Sequence, residues 1–418
     1  MTRDDIRVET IRRSLDEAGL DALVCALPNN VLLLSGYWPV AGTALAVATR
    51  EGRTVLIAPD DEMDVAERAL ADEVRKYQSA SLEEIKQAED ALWLPLREAA
   101  VDLSIGKGRI GYERGPSFVP ASYASMRLCG ASIVDLLRRS LPDARLRPAD
   151  ELLARLRATP TPGEVERIRA ACRIAEQAFL EGSRQLREGL REYEAAALFR
   201  APLCVVGSQS GVRRADGFVS CMSGINSARG AGAYARSSDR KLEPGDFVMV
   251  HCNSYADGYW TEITRTFVME DAGPRKLEMY GAAHAALRAA MDVIRPGVMA
   301  ADVDAAAREA LTSRGFGDQF KHATGHAVGF AAMDYNAPPR LHPASDDRLE
   351  AGMVFSIEPA IYVEDYGGLR HCDMALVTET GVEILTPFQS SIEHLVVGAS
   401  LGEEAPGAEA SAWPAAMV

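Results

Sequence analysis

Several things are scarce or missing in this sequence, and each shortage excludes a class of protein. The seven cysteines, at 25, 129, 172, 204, 221, 252 and 372, are scattered and odd in number. Nothing in their spacing would build a metal finger or a disulfide framework, so they predict a reducing compartment. No apolar run approaches the roughly 18 residues that a membrane span needs. The opening MTRDDIRVET is polar, unlike a signal peptide, and a cytoplasmic protein is expected. Positive charge is in deficit: 45 Lys and Arg stand against 60 Asp and Glu, for a formal charge of -15. That balance argues against nucleic acid or an anionic membrane as main partner and leaves a small-molecule substrate. A glycine-rich phosphate loop is also missing, so no nucleotide cofactor is implied.

What is present suits a globular enzyme. The 418 residues, 47% hydrophobic and 25% charged, suffice for two or three domains with ample cores. Over residues 1–155 strands and helices alternate. Helical patterns fall at 1–20, 61–75, 82–100, 120–129 and 133–139, and strand patterns at 21–26, 44–48, 54–58 and 109–112, while Pro28-Asn29-Asn30 turns the chain into Val31–Leu34. This predicts an α/β domain that serves as a scaffold. Pro160-Thr161-Pro162-Gly163 reads as a linker into a second domain, 160–398, whose helices start at Glu164 and near Arg191 and recur at 274–293 and 301–314. Residues 401–418, rich in Ala, Glu, Pro and Gly, are expected to be a disordered tail.

The second domain is organised around residues 242–267, LEPGDFVMVHCNSYADGYWTEITRTF. A Pro-Gly-Asp turn feeds the apolar run Phe247–Val250, which ends on His251. Asp257-Gly258 signals a reverse turn, and Tyr259–Phe267 reads as the returning strand. The period of two puts Glu262, Thr264 and Thr266 on one face, with Ile263, Arg265 and Phe267 on the other. A hairpin centred between Ala256 and Asp257 would set His251 opposite Glu262, and a turn shifted by one residue would make them diagonal neighbours. Either way an imidazole and a carboxylate meet.

This stretch resembles the pita-bread family of creatinase, prolidase, aminopeptidase P and, more distantly, methionine aminopeptidase. It keeps their order of leucine, Pro-Gly-Asp, apolar strand, ligand position, Gly-Tyr, second ligand position and Thr-Arg-Thr. Three later segments also match: HATGHAVGF (322–330), EAGMVFSIEPAIY (350–362) and GGLRHCDMALVTETG (367–381). The resemblance implies an α/β (α+β) chain, with a creatinase-like N-terminal domain, a pita-bread catalytic domain and a homodimer. It also implies five metal-ligand positions, which the family fills with two aspartates, a histidine and two glutamates. Here they are His251, Glu262, His326, Glu358 and Cys372.

The substitutions change the charge count. Four carboxylates balance two divalent cations, whereas two carboxylates balance one at most. A neutral imidazole also cannot bridge two ions. The expectation is therefore one ion (Zn, Mn or Fe) on Glu262, His326 and Glu358, helped by His251 or Cys372, or no metal at all, as in creatinase. His251 is a candidate general base. Cys372 is a candidate nucleophile, ligand or inert core thiol, depending on whether Arg370 or His371 lowers its pKa. Arg370 could anchor a substrate carboxylate or form a structural ion pair. His371, beside it, is a further substrate-side candidate. Two family substrate-contacting histidines are replaced, with Tyr234 nearest one position and Met333 at the other.

The resemblance, with these departures from the family pattern, implies a creatinase-like hydrolase of a carbon–nitrogen bond in a small polar metabolite. A mononuclear Xaa-Pro aminopeptidase or dipeptidase, a lyase or biosynthetic enzyme, and a non-catalytic binding protein are the alternatives.

Overall fold

The computed structural model describes residues 4–39, 43–79, 83, 87–115, 129–231, 236–389 and 391–398. The first part of the chain is built on one six-stranded sheet. Its strands are β1 (Ala22–Cys25), β2 (Leu45–Thr49), β3 (Thr54–Pro59), β4 (Glu73–Tyr77), β5 (Arg109–Tyr112) and β6 (Arg145–Pro148), in the spatial order β4-β3-β2-β1-β5-β6. The three central strands β1, β2 and β3 are buried throughout, which is why they read as unbroken apolar runs. The two edge strands were invisible to that test. β4 (EVRKY) lies where a helix to residue 75 was expected, and β6 (RLRP) carries charges that mark a protected sheet edge. Val31–Leu34 belong to a helix, Pro28–Ser35, opened by its proline and closed by Gly36 at φ 68°. Most of the helix expected at 120–129, and the whole 401–418 tail, lie outside the described residues.

The segment after Pro160 is held firmly. Thr161 caps the helix Pro162–Ser183 in a capping box with Glu164. Glu164 in turn receives Arg7 Nε at 3.0 Å from the first helix, and Arg157 reaches Asp334 at 2.6 Å and Asn30 at 2.7 Å. Buried pairs of this kind tie the six-stranded sheet and its helices to the second part of the chain.

That second part carries a four-stranded sheet in which β7 (Ala215–Ser223), β8 (Phe247–Ala256) and β9 (Tyr259–Met269) lie side by side. Then come β10 (Val354–Ile357), β11 (Ala360–Val363), β12 (Gly367–Arg370), β13 (Asp373–Val377), β14 (Val382–Ile384) and β15 (Val396–Val397), the last of which pairs with β9. The order is β15-β9-β8-β7, with β10-β13-β14 and β11-β12 as smaller sheets. The β8–β9 turn consists of Asp257 (φ 48°) and Gly258 (φ 88°), the two positive-φ positions of a tight primed turn. A Cβ on Gly258 would lie 2.4 Å from Trp38 of the first part of the chain, so the turn and the packing need the same residue. This register pairs His251 with Thr264 and Asn253 with Glu262, making His251 and Glu262 diagonal neighbours rather than an opposed pair.

On the other face of β9, Arg265 is fully buried and satisfied. Its guanidinium donates to the carbonyls of Thr264 (2.9 Å), Cys372 (2.8 Å), Thr386 (3.0 Å) and Phe388 (2.6 Å), and pairs with Asp373 at 2.6 Å. Thr264 and Cys372 also exchange backbone hydrogen bonds at 3.2 and 3.1 Å. Burial works to raise the Asp373 pKa, but Arg265 and His371 outweigh it and hold the carboxyl well below its ordinary value of 3.8. Its contribution is therefore present above that value and is lost only as pH falls through the depressed native one, in strong acid. Asp373→Asn leaves a buried guanidinium uncompensated and should cost about 3–5 kcal/mol, read as a lower urea midpoint at pH 7 with an unchanged m-value.

Candidate active site

Three separate stretches bring their polar side chains to one buried point. β9 supplies Glu262, the segment after helix Ala300–Thr312 supplies His326, and the end of β10 supplies Glu358. His326 Nε2 lies 3.4 Å from Glu262 Oε2 and 3.2 Å from Glu358 Oε1. One ligand atom from each residue lies within 4.8 Å of the others. The approach is tight because of Gly325: a Cβ there would sit 1.8 Å from the Ser356 carbonyl oxygen. Asp304, on the preceding helix, fixes the same segment by accepting from the Thr324 amide at 3.0 Å and hydroxyl at 2.8 Å.

Surrounding groups aim the three side chains. His326 Nδ1 donates to the Ala327 carbonyl at 3.1 Å, leaving the Nε2 lone pair for the cluster. The Ser356 hydroxyl donates to Glu358 Oε1 at 2.7 Å. Ser356 precedes Glu358 by two residues, so strand alternation puts both on one face. The Arg370 guanidinium is 3.8 Å from Glu358 Oε2, and its buried Nε has no hydrogen-bond partner among the described residues.

The trio fits one metal ion. Glu262 Oε2 is buried and lacks a hydrogen-bond partner among the described residues, as an oxygen awaiting a cation would. Donors about 2.0–2.1 Å from a shared tetrahedral ion stand about 3.3 Å apart, close to the 3.2 and 3.4 Å seen here. One histidine and two carboxylates suit Zn, Mn or Fe(II). Burial, and then Glu358, raise the Glu262 pKa. For His326 burial works downward, but Glu358 and Glu262 overcome it and raise the imidazole to about 9. Glu358 is lowered, because His326 and Arg370 outweigh its burial. These directions describe the cluster without an ion, where a proton stands in for the missing positive charge.

The other sequence candidates divide. His251 stands beside the cluster, with Nδ1 3.7 Å from Glu262 Oε1, but it does not join it. Both ring nitrogens are engaged: Asn253 Nδ2 donates to Nε2 at 2.8 Å, and Nδ1 bonds to the Thr264 hydroxyl at 2.9 Å. Burial and the Arg370 charge lower its pKa, so the ring is neutral with no free lone pair. The expectation that it helps to hold a metal is corrected on that ground. Cys372 faces the cluster as a buried thiol. Burial, Glu262 and Glu358 push its thiol well up and outweigh Arg370. His371 points the opposite way, its Nε2 2.8 Å from Asp373 Oδ2 in the Arg265 network, so it does not reach the cluster. Met333 is half-buried on the loop that carries Asp334 and Tyr335. Tyr234 lies outside the described residues.

Sequence reasoning passed over His322 and Tyr362. The His322 Nδ1 donates to the Ala323 carbonyl at 2.8 Å, so Nε2 accepts from the Tyr362 hydroxyl at 3.0 Å. Tyr362 also lies within hydrogen-bonding reach of Arg370. Ser356 and Asn253 were missed as well, although alternation from Glu358 and His251 would have found them.

Comparison with known proteins agrees with the assembled geometry. Residues 7–159 match the creatinase/prolidase N-terminal domain, and residues 166–379 match metallopeptidase family M24. The Xaa-Pro dipeptidase of Pyrococcus furiosus is 28% identical over 381 residues, which cover 91% of this chain and 97% of that protein. The prolidase structure from Pyrococcus horikoshii OT3 superposes with a TM-score of 0.71 at 26% identity, covering 92% of this chain and 98% of the other. Dipeptidase PepE from Mycobacterium ulcerans gives 0.71 at 26% identity, covering 94% and 98%.

The geometry sets two expected outcomes. Protein loaded with Mn or Zn and then dialysed should hold about one equivalent by elemental analysis. Ser356→Ala should weaken that binding about 10- to 100-fold, whereas two tightly held equivalents would refute the three-ligand site. In the folded protein Cys372 should stay unmodified by iodoacetamide at pH 8 and react only on unfolding, as mass spectrometry of the tryptic peptide would show. The match over residues 166–379 takes in more than half of the 418 residues and every member of the Glu262–His326–Glu358 cluster: this chain belongs to metallopeptidase family M24, the hydrolases that cut carbon–nitrogen bonds.

Proposed function

We propose that the chain is a single-metal dipeptidase, which hydrolyses the amide bond of a small substrate carrying a free carboxylate. Xaa-Pro dipeptides are the first class to test. The observation that carries this reading is the buried Glu262 Oε2, without a hydrogen-bond partner among the described residues and 3.4 Å from His326 Nε2, completed by Glu358 into a three-donor set. The relatives named Xaa-Pro dipeptidase and prolidase support it over the creatinase-like alternative.

Glu262, His326 and Glu358 would hold the ion. When bound, it would polarise the scissile carbonyl and make a water molecule acidic enough to attack. The chain's own groups do the rest. Arg370, with its free Nε, pairs with the substrate carboxylate and sets the amide against the cluster. Tyr362, whose hydroxyl is bonded to His322 at 3.0 Å, lies within hydrogen-bonding reach of that guanidinium. Glu262 Oε1, which faces His251 and not His326, accepts a proton from the attacking water as the hydroxide adds to the carbonyl carbon. The same proton passes to the amide nitrogen as the C–N bond breaks, leaving an acid and an amine.

One observation sustains a second reading. His326 Nε2 stands 3.4 and 3.2 Å from the two carboxylates and can share a proton with either without any ion, which is the arrangement a creatinase-like acid–base site would use. The two readings part on chelation. Purified protein should release proline from Xaa-Pro dipeptides on addition of Mn, Co or Zn, and lose that activity in a chelator. Glu262→Gln should cut kcat by about 10²- to 10⁴-fold. Chelator-resistant hydrolysis of amidines or cyclic amides, with no Xaa-Pro turnover, would reject the dipeptidase. Full biological activity of Glu262→Gln would reject both enzymes in favour of a binding protein.

A further inference from the structure

The Tyr335 ring lies against the His326 imidazole, with ring centroids 5.0 Å apart and planes tilted by 59°. Ring pairs at that separation attract and have preferred geometries. Tyr335 is 44% exposed and His326 only 4%, so the phenol ring borders both solvent and a candidate metal donor. Its loop is tied to the histidine's own anchor. The Ala327 carbonyl accepts from His326 Nδ1 at 3.1 Å and from the Asp334 amide at 3.0 Å, and Ala327 and Asp334 form an isolated antiparallel bridge. One oxygen thus sets both the imidazole and the start of the segment that carries Tyr335.

The Asp334 carboxylate holds the other side of that residue. Its Oδ1 accepts from the amides of Asn336 at 3.2 Å and Ala337 at 3.1 Å, a local turn that aspartate favours. The same carboxylate takes both arms of a guanidinium: Arg157 Nε donates to Oδ2 at 2.6 Å and Nη2 to Oδ1 at 3.3 Å. Arg157 lies near the end of the helix Asp150–Ala158, ahead of the Pro160 linker. It is fixed in turn. Its Nη1 donates to Asn30 Oδ1 at 2.7 Å, and Asn30 Nδ2 donates to Glu113 Oε2 at 2.8 Å. Glu113 Oε1 accepts from the amides of Ala26 and Leu27. All four side chains are buried, and a two-armed arginine–carboxylate pair fixes geometry as well as charge. The first part of the chain therefore sets the position of a loop that touches the cluster.

We propose that Tyr335 is a positioning residue for the metal site, and that Arg157, acting through Asp334, keeps its ring against His326. The first part of the chain then governs how well His326 presents Nε2 as a donor. This role rests on the three-donor metal site of the dipeptidase reading. An ion pair that merely joined the two parts of the chain would need neither the bonds of Asp334 on both sides of Tyr335 nor the ring contact. Removing a partner that orients a metal-binding histidine typically costs about 10- to 100-fold in metal affinity.

The test measures zinc affinity of the full chain by competition with a chromophoric chelator. Tyr335→Ala, at an exposed position that leaves the core untouched, should weaken zinc about tenfold or more. Tyr335→Phe keeps the ring and should stay at the wild-type value. Arg157→Lys keeps the charge that Asp334 needs but loses the two-armed geometry. It too should weaken zinc, and adding it to Tyr335→Ala should weaken zinc no further. Wild-type affinity in Tyr335→Ala, or losses that multiply in the double variant, would overturn the clamp. A readout without metal separates this role from the dipeptidase reading. In protein carrying isotopically labelled histidine, the His326 Nδ1 proton should give a sharp, slowly exchanging magnetic-resonance signal. That signal should broaden in Tyr335→Ala and Arg157→Lys but not in Tyr335→Phe. An unchanged signal in the first two would overturn the clamp even in protein that takes up no zinc. Zinc binding with the expected dependence, but no release of proline from Xaa-Pro dipeptides, would sink the dipeptidase alone.

Discussion

Everything at the site depends on where β9 meets the turn between β12 and β13, and Arg265 holds that junction. A fully buried guanidinium is tolerable only if its charge is matched and its donors are used. Asp373 supplies the charge, and the carbonyls of Thr264, Cys372, Thr386 and Phe388 take the remaining donors. The result is a staple between chain segments more than a hundred residues apart in sequence. It fixes Thr264 against Cys372 on one side of the sheet and thereby places Glu262, two residues earlier, and Arg370, two residues before Cys372, around a common point. The same staple claims His371 through Asp373 and takes it out of contention for substrate.

The electrostatics of the cluster reflect how few charges it contains. Glu262 and Glu358 are the only carboxylates among its three members, and Arg370 already offsets part of their charge. One divalent ion brings the group close to balance; a second would leave a large uncompensated positive charge in a buried space. His251 reinforces this limit, because both of its nitrogens are engaged by Asn253 and Thr264 and it has no lone pair to offer. Without an ion, Glu262 shifts toward the protonated form and His326 toward the charged form, the usual response of a buried site short of cations.

Much of this was legible from residue order. The Pro-Gly-Asp turn, the alternation along Tyr259–Phe267 and the glycines around His326 all act through periodicity and local backbone needs. Those effects are short-ranged, so they survive in a linear reading. Arg265 was correctly placed on the face opposite Glu262 by the period of two alone. Edge strands β4 and β6 escaped because their charges protect an edge and mimic a solvated helix. The hairpin register was left open between two choices, since a shift of one residue in the turn centre is a matter of φ values at Asp257 and Gly258.

By itself, then, the sequence determined the ligand types available, their order along the chain, and the charge count, in which two carboxylates balance one divalent cation at most. Those are properties of composition and of the strand period, and they do not change with tertiary context. Only the folded arrangement decided which of the five candidate positions converge. Glu262, His326 and Glu358 meet because a glycine lets two backbones approach within van der Waals contact. His251 is excluded because neighbours on its own strand and on β9 consume its nitrogens first. Burial first, and then Glu262 and Glu358 against the single Arg370, push the Cys372 thiol well up. Which neighbour wins such a competition depends on distances across the fold, and no linear spacing encodes them.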